Sequence, residues 1–486
     1  MKKIAKFLIV LGMMGQLSSC DYLDIVPDER AQESDTWKTE GAVRGYLYSC
    51  YGYLPANRTF GNSYWLAEEL TAVTKELFTT FKYGYYSPVS LGFTSNTWST
   101  IWNGIHQCYM FQESLKQVSN EYVTDEMKKQ YLAESNFLIA YYHFLSMRSY
   151  GPTMIIRSVI DLETPISGFP ERSSIDEVVA FINEKLDEAM SEGGLPTTWS
   201  GKDYGRATRL AALALKSRVY LYAASPLYNG NTEMYADFRS PLDGRQLIAQ
   251  EKSQAKWEIS ATQTKYAIDE VEKAKFHLYH DADAGEPSDA KPGLPNKAQR
   301  RLRYTNIDNQ TGNNPEIIWA DTRNDDYYGI QRRCPPRQTL GGKFAGISMT
   351  NCPTLQTIEA FYTKNGLPIN KDKTFDYDER YEYISAPENC DGNNYEDLVK
   401  YANFTPSSDK VMRLCTDREP RFYAWTTYHN GYFEFGKYNN EEISADPAKR
   451  AIRIHLLRDD PHGRGNRTDQ EYSISGFGNK KGCTVR

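Results

Sequence analysis

The sequence predicts a mainly α fold. Helix pairs stacked like tetratricopeptide units make an N-terminal part, and this supports an irregular, loop-rich C-terminal part. Two observations carry that reading. From Thr97 to Val271, apolar side chains recur at helical spacing in segments of similar length, joined in several places by short or moderate connections. After about His280 the periodicity gives way to polar, turn-rich sequence. No fixed-period repeat is evident, so the prediction concerns architecture rather than a named repeat.

The elements follow in order. Thr39 to Tyr53 reads as a helix carrying Val43, Tyr46, Leu47 and Cys50. Asn57 to Asn96 is irregular and aromatic, with Trp65, Phe78, Phe81, Tyr83, Tyr85, Tyr86 and Phe93. A loop of that length is functional or disordered, and its aromatic content argues against disorder. Thr97 to Val118 is a helix holding Trp98, Trp102, Ile105, Tyr109 and Leu115. Thr124 is the N-cap of the next, with Asp125 and Glu126 in its first turn, where the helix dipole favours acids. That helix runs to Tyr150 and stops at Gly151-Pro152. Ser174 and Glu177 form a capping box for a helix carrying Val178, Ile182, Leu186 and Ala189.

Gly205 to Gly230 holds an uninterrupted helical stretch from Arg206 to Ser225, stopped by Pro226. Ala207, Ala211, Ala214, Ser217 and Ala224 are small, so this helix is expected to be hemmed in on most sides as a scaffold element. Gln250 to Val271 carries Trp257, Ala261, Thr264 and Ile268. Asp281 to Pro315 reads as turns, Glu316 to Ala320 as a short strand-like run, and Asp321 to Gly346 as a second loop. Thr354 to Tyr362 reads as a helix, and beyond Asn365 only short segments are expected.

The chain has 486 residues, with 57 Lys and Arg against 63 Asp and Glu, a net charge of -6. With no long basic run, a nucleic-acid partner is not expected. Tyr, at 36, far outnumbers Phe at 20 and Trp at 8, which suits surfaces that grip partly polar ligands as well as helix contacts. The first residues form a targeting segment: Lys2, Lys3 and Lys6, then an apolar run from Phe7 to Gly15. Leu17-Ser18-Ser19-Cys20 resembles the lipobox of bacterial lipoproteins. That resemblance makes residues 1–19 a signal peptide and Cys20 the lipid-attachment site, anchored stably by its acyl chains. An ordinary secretory peptide with a chance Cys is the alternative. Of the seven remaining cysteines, Cys334 and Cys352 lie in loop-like sequence where a bridge is feasible.

A search for chemistry returns little. His277 and His280 sit near a helix end, with Asp281 and Asp283 as the nearest further donors. A solvated helix end is the expected reading, and no metal ligand is assigned. Glu68-Glu69 lacks an identifiable second carboxylate for glycoside hydrolysis. No Walker loop and no GxSxG appears, so no catalytic residue or cofactor is assigned. Binding remains. Sugar rings stack on aromatic faces while Arg, Asp and Asn bond their hydroxyls. Trp65, Tyr83, Tyr85, Tyr86 and Trp98 are the candidate platforms, with Arg323, Asp325, Tyr327 and Tyr328 from the second loop. Trp98 could instead pack with Trp102 and Ile105, and Arg323 could be a structural ion-pair partner.

At this point the residues resemble the SusD/RagB family of nutrient-binding outer-membrane lipoproteins of Bacteroidetes. The similar pieces occur in order: Cys20-Asp21-Tyr22-Leu23-Asp24 with Pro27; Trp98, Trp102 and Ile105; Glu134 to Arg157; Gly205 to Gly230; Trp257 with Leu278-Tyr279; Asn314-Pro315-Glu316-Ile317-Ile318-Trp319; and Asp417 to Phe422. The resemblance implies a helical domain over 20–280 and a C-terminal domain over 281–486. It also implies a non-catalytic, cell-surface protein that captures a glycan, or in some members a peptide. The implied partner is a SusC-like TonB-dependent transporter. Ser473 to Lys481 resembles a segment that further helices follow in the family, so the C-terminal domain is expected to be incomplete. A surface glycoside hydrolase and a peptide-binding or adhesin-like lipoprotein are the competing readings.

Overall fold

The computed structural model describes residues 37–55, 69–71, 93–161, 163–283, 297–307, 314–323, 333–336, 349–350, 352–385, 410–434, 437–438, 441–442, 451–460, 462–464 and 472–480. The first part holds α1 (Glu40–Tyr51), α2 (Phe93–Leu115), α3 (Asp125–Tyr150), α4 (Ile175–Ala189), α5 (Arg209–Ala224) and α6 (Gln254–Lys273). Each helix packs against the next in chain order. Direction follows from the paired contacts. On α2 and α3, Trp98 meets Tyr150, Trp102 meets His143, and Gln112 bonds Ser135. One residue number rises as the other falls, so the two helices are antiparallel. Lys216 with Asp187 and Arg209 with Met190 O give the same result for α5 and α4.

The predicted caps are in place. Thr39 Oγ1 accepts from Ala42 N–H, Thr124 Oγ1 from Met127 N–H, and the Ser174–Glu177 box is closed in both directions. Gly151 ends α3 at φ 73°, a left-handed conformation that suits glycine.

α3 is the centre of the stack. Every residue from Ala133 to Ala140 is buried, and its buried polar groups are all bonded. Ser135 Oγ donates to Cys108 O, Asn136 accepts from Gln112, and Ser146 meets Thr153 at 2.7 Å. His143 uses both ring nitrogens. Nδ1–H donates to Ile139 O (2.8 Å) and Nε2 accepts from Ile156 N–H (3.4 Å).

α5 begins later than expected. Thr208 is extended (φ -124°, ψ 162°) and caps the helix by accepting from Ala211 N–H. Arg206 and Ala207 therefore lie before it. Ser225 is extended (ψ 152°), as a residue before proline prefers. The helix packs against α3, α4 and α6, and only Arg218 and Leu221 along it are exposed, so it is enclosed on most sides.

The second part contains α7 (Lys297–Ile307), α8 (Leu355–Ala360) and α9 (Pro420–Trp425), with short two-stranded antiparallel pairs such as Tyr383–Ser385 with Lys410–Met412. α7 was not expected from the sequence. A second core gathers Ile358, Phe375, Val411, Leu414, Phe422, Tyr428 and Phe477. Its hub is Arg418, which donates to Leu414 O (2.6 Å), Ile358 O (2.8 Å) and Phe361 O (2.6 Å). Burial lowers its pKa to about 10, and the three carbonyls take the place of water around the cation.

Two expectations are corrected. Glu316 to Ala320 forms turns and bends: Ile317 N–H closes on Asn314 O, and among the described residues no strand pairs with it. Cys334 and Cys352 are not bridged; both are buried, and the Cys352 thiol donates to Met349 O. Among the described residues, no helix is long and apolar enough to cross a membrane.

Candidate functional site

A cleft of about 510 Å³ opens where α1 ends, where the chain enters α5, and where residues 319–323 cross both. Its floor is an ion pair. Arg206 donates through Nη2 to Glu134 Oε1 (2.5 Å) and through Nε to Glu134 Oε2 (3.2 Å). Tyr51 Oη donates to Glu134 Oε2 (2.6 Å) and accepts from Ala207 N–H (2.9 Å). Burial pushes Glu134 up, and Arg206 pulls it back. Burial would likewise lower Arg206, but the Glu134 and Asp203 carboxylates raise it above its ordinary value. The pair stays ionised, because the guanidinium is a permanent cation and engages both carboxylate oxygens. Arg206 also lies 4.0 Å from the Trp199 ring centroid.

One wall is Trp319. It stands edge-on to Phe137 (5.1 Å, 89°) and Tyr141 (5.4 Å, 87°), and its Nε1–H donates to Gly205 O (2.8 Å). Gly205 has φ 98°, and a Cβ there would meet Thr322 Cγ2 at 2.8 Å, so only glycine lets these two stretches cross. The rim is Arg323, which donates to Leu54 O (3.0 Å) and Pro55 O (3.1 Å) and pairs with Asp321 (2.5 Å). Burial would raise Asp321, but Arg323 holds it below its ordinary value. Tyr48 and Tyr204 complete the lining, with Tyr48 41% exposed. Lys202 also lines the cleft, so it offers aromatic faces, the Arg206 and Arg323 ion pairs and a further lysine ammonium, a surface suited to a polar ligand.

Of the residues expected at a site, Arg323 lines this cleft. It is also the ion-pair partner that the sequence offered as an alternative. Trp98 does not line it. Trp98 is half-buried at the start of α2, packed against Trp102 (5.3 Å) and Tyr150 (4.9 Å). Trp65, Tyr83, Tyr85, Tyr86, Asp325, Tyr327 and Tyr328 lie outside the described residues, as does Cys20. Sequence reasoning did not single out Tyr48, Tyr51, Tyr204, Arg206 or Trp319 for a site. The excess of Tyr was the available signal, but it does not say which Tyr face a cleft.

The geometry defines a class: a stack of antiparallel helix pairs carrying an irregular second part, with an aromatic cleft at their junction. Comparison with known proteins makes the class specific. A family model described as starch-binding associating with outer membrane matches residues 21–221, and the model of the SusD family matches residues 315–481. The solved structure of BT4246 is 27% identical, with a TM-score of 0.74, over 91% of this chain and 72% of that one. A SusD-like protein (BF3747) from Bacteroides fragilis shares the fold at 19% identity and a TM-score of 0.60, over 93% of this chain and 70% of that one. So does a SusD-like carbohydrate binding protein (BF0978) from the same species, at 16% identity and a TM-score of 0.52, over 92% and 68%. No curated protein sequence matches. The chain belongs to the SusD/RagB family.

Proposed function

We propose that the protein is a non-catalytic, cell-surface lipoprotein that binds a glycan and hands it to a SusC-like TonB-dependent transporter. The observation that carries this is the family match over residues 21–221, whose description is starch binding in association with the outer membrane. The lipobox-like Cys20 supports a lipid anchor at that membrane. The cleft supports the binding half of the reading, since Tyr48 and Tyr204 present aromatic surface beside backbone carbonyls. From the sequence alone, Trp65, Tyr83, Tyr85, Tyr86, Trp98, Asp325, Tyr327 and Tyr328 stay as proposed ligand contacts, separate from the cleft described above.

Two carboxylates at the cleft, Glu134 and Asp321, support a role without catalysis. Glu134 has both oxygens committed to Arg206 and Tyr51, and Asp321 has both committed to Arg323. Glycoside hydrolysis needs one carboxyl held protonated and a second held ready, and neither group is so placed.

The test is titration of the purified protein against a panel of neutral oligosaccharides, with chromatography of the mixtures afterwards. Binding of at least one oligosaccharide, returned intact, is expected. Shortened products would establish a hydrolase instead, and binding of peptides alone would move the ligand class. Tyr204→Ala is expected to weaken glycan binding about tenfold, roughly 1.4 kcal/mol. Circular dichroism serves as the check that the fold is kept.

A further inference from the structure

α6 ends at Lys273, and residues 277–283 run outside the helix into a turn. The solvated helix end expected for His277 and His280 is therefore a strap beside residues 314–316. It is pinned at several points. His277 N–H donates to Pro315 O (3.2 Å), Tyr279 N–H to Glu316 Oε2 (2.9 Å), and the Tyr279 hydroxyl to Asp283 O (3.2 Å). Asp283 N–H donates back to His280 O (3.1 Å), and His280 N–H to Asp283 Oδ2 (2.7 Å).

This framework brings two imidazoles together in a parallel stack, with centroids 5.0 Å apart and planes 9° apart. A turn of one exposed ring about its Cβ–Cγ bond is needed to aim both in-plane lone pairs at one ion. Asp283 Oδ2 stands 3.8 Å from His277 Nδ1 and 3.9 Å from His280 Nδ1. Those separations are too long for hydrogen bonds. They are close to the spacing of ligands around one ion: two ligands each about 2.1 Å from a tetrahedral zinc stand about 3.4 Å apart. One donor atom from each of the three residues lies within 4.8 Å of the others.

We propose that His277, His280 and Asp283 bind a divalent transition cation of the zinc or copper class. Two imidazoles and one carboxylate are the donor set such ions favour, and an alkaline-earth ion would want more oxygen. Both imidazoles are exposed, so the cation keeps water on its open side. The neighbouring Arg301 is engaged by Asp281 (3.3 Å), which offsets its charge near the site. His277 Nδ1–H now donates to Leu278 O (2.8 Å). Capture of the cation at Nδ1 moves that ring proton to Nε2, and the imidazole stays neutral. The bound ion would tie the exit of α6 to the start of the second part.

A second cluster, His429, His455 and Asp460, is buried. A backbone N–H reaches the carboxylate in both clusters, but in this one Leu456 N–H also points at His429 Nδ1 (3.1 Å) and occupies the imidazole lone pair a cation would use. That cluster reads as loop architecture.

The test is calorimetric titration of the full chain, carrying no polyhistidine tag, with zinc chloride, followed by metal analysis after desalting. One zinc per chain is expected at pH 7.5. His277→Ala with His280→Ala is expected to weaken binding by at least about tenfold, since both ring ligands are removed. Both side chains are exposed, so that variant should keep the wild-type circular dichroism spectrum. A wild-type chain that takes up no zinc would overturn the proposal. So would a double variant that binds zinc as tightly as wild type, which would locate the ion elsewhere.

Discussion

His143 sits fully buried in α3 with one nitrogen donating and the other accepting. Protonation would remove the acceptor that Ile156 N–H uses and place a charge in the core. Burial accordingly pushes its pKa down from 6.5 to about 4, and the Lys185 and Arg157 cations add to the shift. The sign follows by linkage. Between those two values the unfolded chain binds a proton that the folded chain does not, so stability rises with pH there. The contribution is fully present above pH 6.5 and is lost as pH falls toward 4, by about 3 kcal/mol. Urea unfolding at a series of pH values should show this slope, and His143→Gln should flatten it. An unchanged slope in the variant would assign the effect to other groups. The Arg206–Glu134 pair makes a second residue-scale prediction. Arg206→Met leaves a buried carboxylate without its cation and should cost about 3–5 kcal/mol. Adding Glu134→Leu should recover part of that loss, because the stranded charge is then gone. A double variant no more stable than Arg206→Met would show that packing, and not charge, sets the cost.

At the scale of elements, caps and periodicity carried much of the reading, and tertiary contacts decided the rest. Thr124, Ser174 and Gly151 were legible because each acts on its own neighbours. The start of α5 was not legible, because Arg206 and Ala207 are acceptable helix residues. Arg206 is drawn out of the helix toward Glu134, 72 residues away in sequence. α7 was hidden for a different reason. Its sequence, KAQRRLRYTNI, has little apolar stripe, and two of its buried side chains are Gln299 and Arg303. Arg303 lies 5.1 Å from the Phe433 ring centroid, a contact that needs the second core to exist first. The cleft was illegible for the same reason: Tyr48, Tyr204 and Trp319 meet only after the second part folds back on the helices. Gly205 lets them meet. Gly205→Ala forces a side chain into a left-handed backbone and against Thr322, and should destabilise the fold by about 1–3 kcal/mol. A thermal melt matching wild type would show that residues 320–322 can yield.

For the whole molecule, the question is how the two cores act together. Among the described residues the helical core and the core around Phe422 have no side chain in common, and Trp319 is a large one that reaches from the second part into the first. It contacts Phe137 and Tyr141 on α3 and bonds Gly205 O just before α5. Further joints are made largely by backbone groups or exposed side chains. They include Arg323 to Leu54 O and Pro55 O, His277 N–H to Pro315 O, and the pairing of Leu70–Thr71 with Cys352–Pro353. Exposed polar joints contribute little individually, whereas a half-buried Trp contributes through packing. Trp319→Ala should therefore remove about 2–3 kcal/mol from the coupling and leave most of each core intact, less than for a fully buried Trp. The expected outcome is a split in denaturation. Far-UV circular dichroism, dominated by α1 to α6, should keep a midpoint near that of wild type. A probe in the second core, such as fluorescence from Trp425 in a background lacking other reporters nearby, should unfold earlier. Coincident transitions in the variant would mean that the backbone joints alone suffice to make the two cores one cooperative unit.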